Sequence, residues 1–403
     1  MKKSLVALAT LSFIGGALAD VDVSGGVKLY GVLDAGYQSQ SLANPGTSNT
    51  YTQQTNNYQG IYASNATSRF GIKAYRDLSE GLKGIAQAEI ELAPDSATLL
   101  PNANRQAFVG LQSESMGSIL IGTMETTAYE VWGMDVNGRV EYKPQVWRTL
   151  ASVSMQDRAN NSIKYITPTF NGFTGHFMYG YAEKPSTLGC GGSTTGETLD
   201  AGKASVCSEF SSIALKFKGE NLVAAAVHDQ TSNIVQAYKF AGIANAGVST
   251  TVAAANTGIA TAALIYSETT STKTSFTNYT TPTQRDIFAI NYSVDGYTFN
   301  YIFGNSYQSG VDASNTTNTI GLRKSIDNLT LAISYGEGVI KSVNSTADKT
   351  LASSGKITDT TFGAYYNFDK STSAYLLMSS STSTVGYYDG SNKTVAVGAR
   401  YNF

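Results

Sequence analysis

Apolar and polar positions alternate with period two along the chain, and helical periodicity is hard to find. From Val21 to Tyr37 the odd positions read Val21, Val23, Gly25, Val27, Leu29, Gly31, Leu33, Ala35 and Tyr37, while the even ones carry Asp22, Ser24, Lys28, Tyr30 and Asp34. Successive side chains of a strand point to opposite faces, so this spacing predicts strands with one apolar and one polar face. Tyr297, Phe299, Tyr301 and Phe303 alternate in the same way with Thr298, Asn300, Ile302 and Gly304. So do Leu329, Leu331, Ile333 and Tyr335 with Thr330, Ala332, Ser334 and Gly336, and at the end Val395, Val397, Ala399, Tyr401 and Phe403 with Thr394, Ala396, Gly398, Arg400 and Asn402. A soluble sandwich also alternates. Here the polar face carries small or charged residues, as a wet lumen requires, and the apolar face is rich in Tyr and Phe, as lipid and its interfaces require. Strands of about 9–11 residues cross a bilayer at the usual tilt.

The connections alternate between short and long. Short turns fall at Asp77–Gly81, Ser113–Gly117, Pro168–Gly172, Lys218–Asn221, Val294–Gly296, Ser325–Asn328 and Phe368–Thr372. Long polar connections fall near 39–56, 93–104, 125–157, 182–209, 230–284, 306–317, 339–358 and 382–392. Together they join sixteen strands of an all-β, transmembrane antiparallel barrel with short periplasmic turns and long external loops. Residues 230–284 leave an alternative open, because Ile234–Phe240 and Ala262–Tyr266 could add two strands and make eighteen. The poor alternation around Val252–Ala255 favours an insertion in one external loop.

Composition narrows the class. Only 14% of the 403 residues are charged, against about 25% in soluble domains, and no apolar stretch past the N-terminus is long enough for a membrane helix. Two Cys and two His leave no disulfide framework and no metal-spaced cluster, and the near-balanced charge offers no basic stripe for nucleic acid. Neither a cofactor nor a metal is expected. Residues 1–19 read as a secretory signal: Lys2 and Lys3, an apolar run from Leu5 to Ile14, then Ala17-Leu18-Ala19. Residues 20–403 are then the barrel. Cleavage removes two of 28 basic residues and no acid, leaving 26 against 30, a net charge of −4. In an oxidising compartment Cys190 and Cys207 are expected to pair across one polar loop rather than stand as two free thiols.

Several segments resemble the trimeric general porins of Gram-negative outer membranes, in particular their β-proteobacterial branch. They are Val27–Gly36 (VKLYGVLDAG), Ser68–Lys73 (SRFGIK) with Asp77–Lys83 (DLSEGLK), Asn104–Leu111 (NRQAFVGL), Asn160–Tyr165 (NNSIKY) with Phe170–Phe173 (FNGF), and the ending Val397–Phe403 (VGARYNF). They follow the family's order and span nearly the whole chain beyond the signal. The resemblance implies a sixteen-stranded outer-membrane barrel, three copies per assembly, and a third external loop, residues 125–157, folded into the pore. It implies that Phe403 is the aromatic end read by the barrel-assembly machinery. It also implies wall arginines at the constriction: Arg69, Arg105 and Arg158, opposed by Glu125, Glu130, Asp135 and Glu141 of the loop. Two departures stand out: Gly122 is followed by Thr123 where the family often has arginine, and the loop lacks a Pro-Glu-Phe-Gly-Gly type motif.

Lys28 and Asp34 point to the polar side of the first strand and are further candidates to line the pore. If Arg105 points inward, simple alternation carries Ala107 and Val109 inward with it. The loop also holds both tryptophans, Trp132 and Trp147, with Tyr129 and Tyr142; these rings either pack the loop on the wall or form a track for solutes. The charges have an alternative role as well, pairing among themselves to stiffen loop and wall. The function expected is passive diffusion of small hydrophilic solutes and ions through a water-filled channel. The alternatives are a substrate-selective channel, or a surface barrel with a structural or adhesive role. Catalysis has no support, since His176 and His228 stand without a nucleophile motif and Gly189–Gly196 lacks the lysine of a phosphate loop.

Overall fold

A computed structural model describes residues 21–24, 26–43, 58–62, 68–94, 98–137, 158–181, 205–236, 283–308, 313–342, 354–384 and 390–403. The expected signal segment, Cys190 and Glu141 lie outside them, as does the side chain of Cys207, so the disulfide does too. The strands are β1 (Val21–Ser24), β2 (Val27–Ala43), β3 (Tyr58–Tyr62), β4 (Arg69–Ser79), β5 (Leu82–Ala93), β6 (Thr98–Ser113), β7 (Gly117–Glu125), β8 (Arg158–Ile166) and β9 (Phe173–Gly180). They continue as β10 (Ser205–Lys218), β11 (Leu222–Gln236), β12 (Thr283–Val294), β13 (Tyr297–Gln308), β14 (Ala313–Ile326), β15 (Leu329–Ser342), β16 (Gly355–Asn367), β17 (Thr372–Ser383) and β18 (Gly390–Asn402). One helix, α1 (Thr127–Trp132), follows β7.

Sixteen strands close a ring. β2 pairs with β4, each strand from β4 to β18 pairs antiparallel with the next, and β18 returns to β2. β3 pairs with Gly36–Gln40 of β2 and β4 with Val27–Val32, so β3 and β4 form one stave in two pieces. β1 folds back on the start of β2 around Gly26, whose φ of 83° only glycine adopts freely. At the seam Phe403 exchanges backbone hydrogen bonds with Gly31 at 2.7 and 3.1 Å. β11 pairs directly with β12, from Leu222↔Tyr292 to Thr231↔Thr283, so the insertion adds no strand to the wall. The eighteen-strand alternative is thereby removed: Ile234–Gln236 ends β11, and 262–266 lies outside the described residues.

All seven short turns fall where the alternation places them. The connection at 93–104 is different. β5 and β6 continue as a hairpin to Ala93↔Thr98, and the register slips by several residues around Pro101, which has no N–H to give the ladder. Those slips hide the strand from a period-two reading.

The faces separate as predicted over most of the wall. Tyr297, Phe299 and Tyr301 are exposed while Thr298, Asn300 and Ile302 are buried, and Val395 and Val397 are exposed while Thr394 and Ala396 are buried. Near the turns, Phe173, Tyr292, Tyr297, Tyr366, Phe368 and Tyr401 crowd the outer surface, so Tyr and Phe make the interfacial girdle in place of Trp. The inner face, however, is not polar throughout. Phe108, Leu120, Met124, Ile166, Met178 and Phe210 form one inward apolar cluster. Ala214, Ala225, Val227, Ile287, Ala289 and Ile302 form another, on which α1 lies with Ala128, Tyr129 and Val131. A wall covered by a helix does not meet water, so the rule of a polar lumen is suspended there.

Candidate functional site

Charged side chains gather on the inner wall where β4 to β8 run side by side. Glu89 of β5 is their hub: its carboxylate accepts from Arg105 Nε and, at 2.9 Å, from Tyr30 OH, and lies 3.6 Å from Arg69 Nε. Glu125, the last residue of β7, stands 3.6 Å from Arg105 and 3.7 Å from Arg158, its cross-strand partner. Arg69, Glu89, Arg105, Glu125 and Arg158 thus form one continuous ledge of three guanidiniums and two carboxylates. Arg69 and Arg158 keep 12% and 19% of their side-chain surface exposed, while Arg105 and Glu89 keep 4% each, so the two outer arginines are the ones presented to the lumen.

Local irregularities aim these groups. Between Ala88↔Ala107 and Ile90↔Asn104 strand β6 spends one residue more than β5, a bulge that reverses which side chains face inward. Arg105 therefore points in while Val109, at 60% exposure, points out; the inward Val109 implied by unbroken alternation is corrected by this extra residue. A second bulge on β8, at Asn160-Asn161 with Asn161 at φ 46°, sets Arg158 opposite Glu125. Tyr30 reaches Glu89 by lying across Gly71, where any Cβ would stand 2.3 Å from the ring. Lys73 Nζ covers the same ring at 4.2 Å.

The loop after β7 runs along the inner wall. Thr126 caps α1 by accepting from Tyr129 N at 3.2 Å. Glu130, one turn on, is held by Lys216 of β10 and, at 2.5 Å, by Lys164 of β8. Burial alone would raise this carboxyl, but Lys164 and Lys216, aided by His176, outweigh it and hold it well below the ordinary carboxylate range. Beyond the helix, the Met134 carbonyl accepts from Asn291 and Asn300 at 2.9 and 3.0 Å. Asn137 then donates to Ser334 Oγ and the Thr361 carbonyl and accepts from Tyr365. Residues 126–137 therefore cross the inside of the barrel from β7 to β16.

The structure thus brings Arg69, Arg105, Arg158 and Glu125 together but seats Glu130 in a separate lysine cluster. Asp135 is buried and accepts from Asn137 N at 2.7 Å, farther along the loop. Asp34 is fully covered, bonded to Tyr375 and Arg400, and Lys28 stands opposite Lys73 toward the turn end of the wall. Tyr129 is buried with Arg158 over its ring at 5.7 Å; the side chain of Trp132, and Tyr142 and Trp147, lie outside the described residues. Glu89, Lys164 and Lys216 were missed by sequence reasoning, although the alternation Ala86, Ala88, Ile90 against Gln87, Glu89, Glu91 already puts Glu89 on the inner face. His176 is inward beside Glu130, and His228 lies on the outer wall.

Comparison with known proteins agrees with this architecture. Outer membrane porin protein 32 of Delftia acidovorans is 32% identical over 197 residues, 47% of this chain and 52% of that protein. The major outer membrane protein P.IB of Neisseria gonorrhoeae is 29% identical over 181 residues, 44% and 48% of the two chains. The matched segment thus spans about half the length of these relatives. Among solved structures, the anion-selective porin from Comamonas acidovorans superposes with a TM-score of 0.64 at 17% identity, covering 94% of this chain and 99% of that one, which establishes the shared fold. The relatives are outer-membrane proteins, and a closed sixteen-stranded barrel with an apolar outer belt spans that membrane. The family description Gram-negative porin matches residues 4–376, and with that extent of match the chain belongs to the Gram-negative porin family.

Proposed function

We propose that the chain forms a water-filled channel through which small hydrophilic solutes and ions diffuse passively. The observation that carries this reading is the arginine–glutamate ledge lying on the inner wall of a closed barrel, with α1 seated inside across from the turns. The ledge has three fixed positive charges against two negative ones, which favours anions at the narrow section. The solved relative described as an anion-selective porin has the same fold and supports that preference. Three copies per assembly fit the outer wall of β4 to β7, where Ala86, Ala88, Ala107, Val109, Ile119 and Ile121 replace the aromatic girdle with small and aliphatic side chains suited to close subunit contact. Family and relatives are porins, proteins of transport rather than catalysis. Reconstitution in a planar bilayer tests the proposal: stepwise ohmic conductance in threes, with a reversal potential on the anion side in a salt gradient, is expected. Absence of conductance steps overturns the channel, and a cation-side reversal potential overturns the assignment of the ledge as its selective section.

A further inference from the structure

The seat of α1 encloses a second feature, apart from the arginine ledge. On β9 Phe173 and Phe177 are 44% and 45% exposed on the outer wall, so alternation turns Thr174 and His176 inward. On β10 Lys216 stands opposite Thr174, and Ala214 opposite His176. Between this wall and α1 remains a cavity of about 40 Å³. Glu130, Thr174, His176, Lys216 and Lys218 supply its polar lining, and Val131 and Met134 part of its apolar lining. A water needs roughly 10–15 Å³ on this measure, so the space admits two or three waters or one monatomic ion with a water.

Charge decides between these occupants. Lys164 and Lys216 both hold Glu130, Lys164 at 2.5 Å, and the Lys164 ammonium also donates to the Glu125 carbonyl at 3.2 Å. The Glu125 carboxylate itself faces Arg105 and Arg158. Among the described residues, these two ammonium groups thus share one carboxylate, with only 4% and 17% of their side chains exposed. A buried positive charge without a full counter-charge is costly. His176 is an independent sign. It is 4% exposed, and its Nδ1 has no hydrogen-bond partner within the protein, whereas buried polar atoms nearly always have one. With its proton on Nδ1, a neutral imidazole is a donor there, and Lys216 has N–H groups beyond the one it gives to Glu130.

We infer that the cavity beneath α1 is a halide site, in which one chloride accepts from Lys216 Nζ and His176 Nδ1. The ion completes the charge of the lysine pair and helps hold α1 on the wall. It is held there rather than passed on, unlike the ions that meet the ledge. A space for two or three waters admits a monatomic anion and turns away an organic acid.

Diffraction from crystals of the full protein grown in sodium bromide, recorded at the bromine absorption edge, tests this. One anomalous peak per chain is expected, within hydrogen-bond distance of Lys216 Nζ and His176 Nδ1. Its occupancy should fall at least fivefold in His176→Leu and return in His176→Asn, whose amide nitrogen stands close to where Nδ1 stood. Both changes leave the lysines and Glu130 in place, and the same maps show whether α1 keeps its seat. No peak in the wild type, or an undiminished peak in folded His176→Leu, overturns the site. In planar bilayers, open-channel noise relative to current should be higher in potassium gluconate than in potassium chloride of equal ionic strength, and equal in the two salts for His176→Leu. Equal wild-type noise in both salts overturns the ion's part in holding α1. The diffraction result needs no conductance, so its failure is distinguishable from failure of the channel reading.

Discussion

Replacing Glu89 by Gln removes one negative charge from the ledge and almost none of its volume. The wild-type ledge sets three guanidiniums against Glu89 and Glu125; the variant sets three against one. An ion passing about 6 Å from that position feels a unit charge as about 0.7 kcal/mol at the dielectric constant of water. Screening at 0.1 M salt, with a Debye length of about 10 Å, leaves about 0.4 kcal/mol. Anions and cations shift in opposite directions, so the anion-to-cation permeability ratio should rise about three- to fourfold. In 1 M salt, with a Debye length of about 3 Å, the gain should shrink below about 1.5-fold. Arg105→Gln should move the ratio the other way by a similar factor. The assay is the reversal potential across a planar bilayer in a potassium chloride gradient, run at both ionic strengths. If both variants keep the wild-type ratio, or if the shift is as large in 1 M as in 0.1 M salt, the ledge does not set the field that passing ions meet.

Three further predictions follow from the same geometry. Because Lys164 and Lys216 depress the Glu130 carboxyl, the stabilisation it lends α1 is present above the ordinary carboxylate pKa of about 4.3 and is lost only as pH falls through the depressed folded value. Open-channel noise at pH 7 should therefore rise in Glu130→Gln, which removes the charge that holds α1 to the wall, and a variant as quiet as the wild type would contradict this. Val109→Arg places a charge on the outer wall within the apolar belt and should destabilise the barrel by about 2–4 kcal/mol in urea unfolding from lipid, whereas an inward Val109 would tolerate the change. Gly71→Ala drives a Cβ into the Tyr30 ring and should cost about 1–3 kcal/mol of stability, with a smaller selectivity change than Glu89→Gln because the carboxylate itself remains.

The barrel was legible because alternation reports the same thing at every strand: one face meets lipid and the other does not. The turns were legible too, since Gly81, Gly117, Gly172 and Gly296 adopt positive φ at the positions where the polar breaks fall. Irregular backbone was not. Arg105 was placed inward by motif, yet the parity argument that came with it turned Val109 to the wrong side, because one bulged residue inverts all that follows on a strand. Glu89 escaped for another reason: it belongs to no motif, and only the pairing of β5 with β4 and β6 reveals that two arginines converge on it.

The seat of the pore loop left a mark in the sequence that differs from alternation. At Leu222–Val227 (LVAAAV) and Ile287–Ile290 (IFAI) both faces of the strand are apolar, and on those strands Ala225, Val227, Ile287 and Ala289 make the inward cluster under Ala128, Tyr129 and Val131. Water would penalise such an inner face, so its persistence requires a cover, and over this cluster of β10 to β13 the cover is α1. Fading contrast between the two faces of a barrel strand thus points to what lies against it inside.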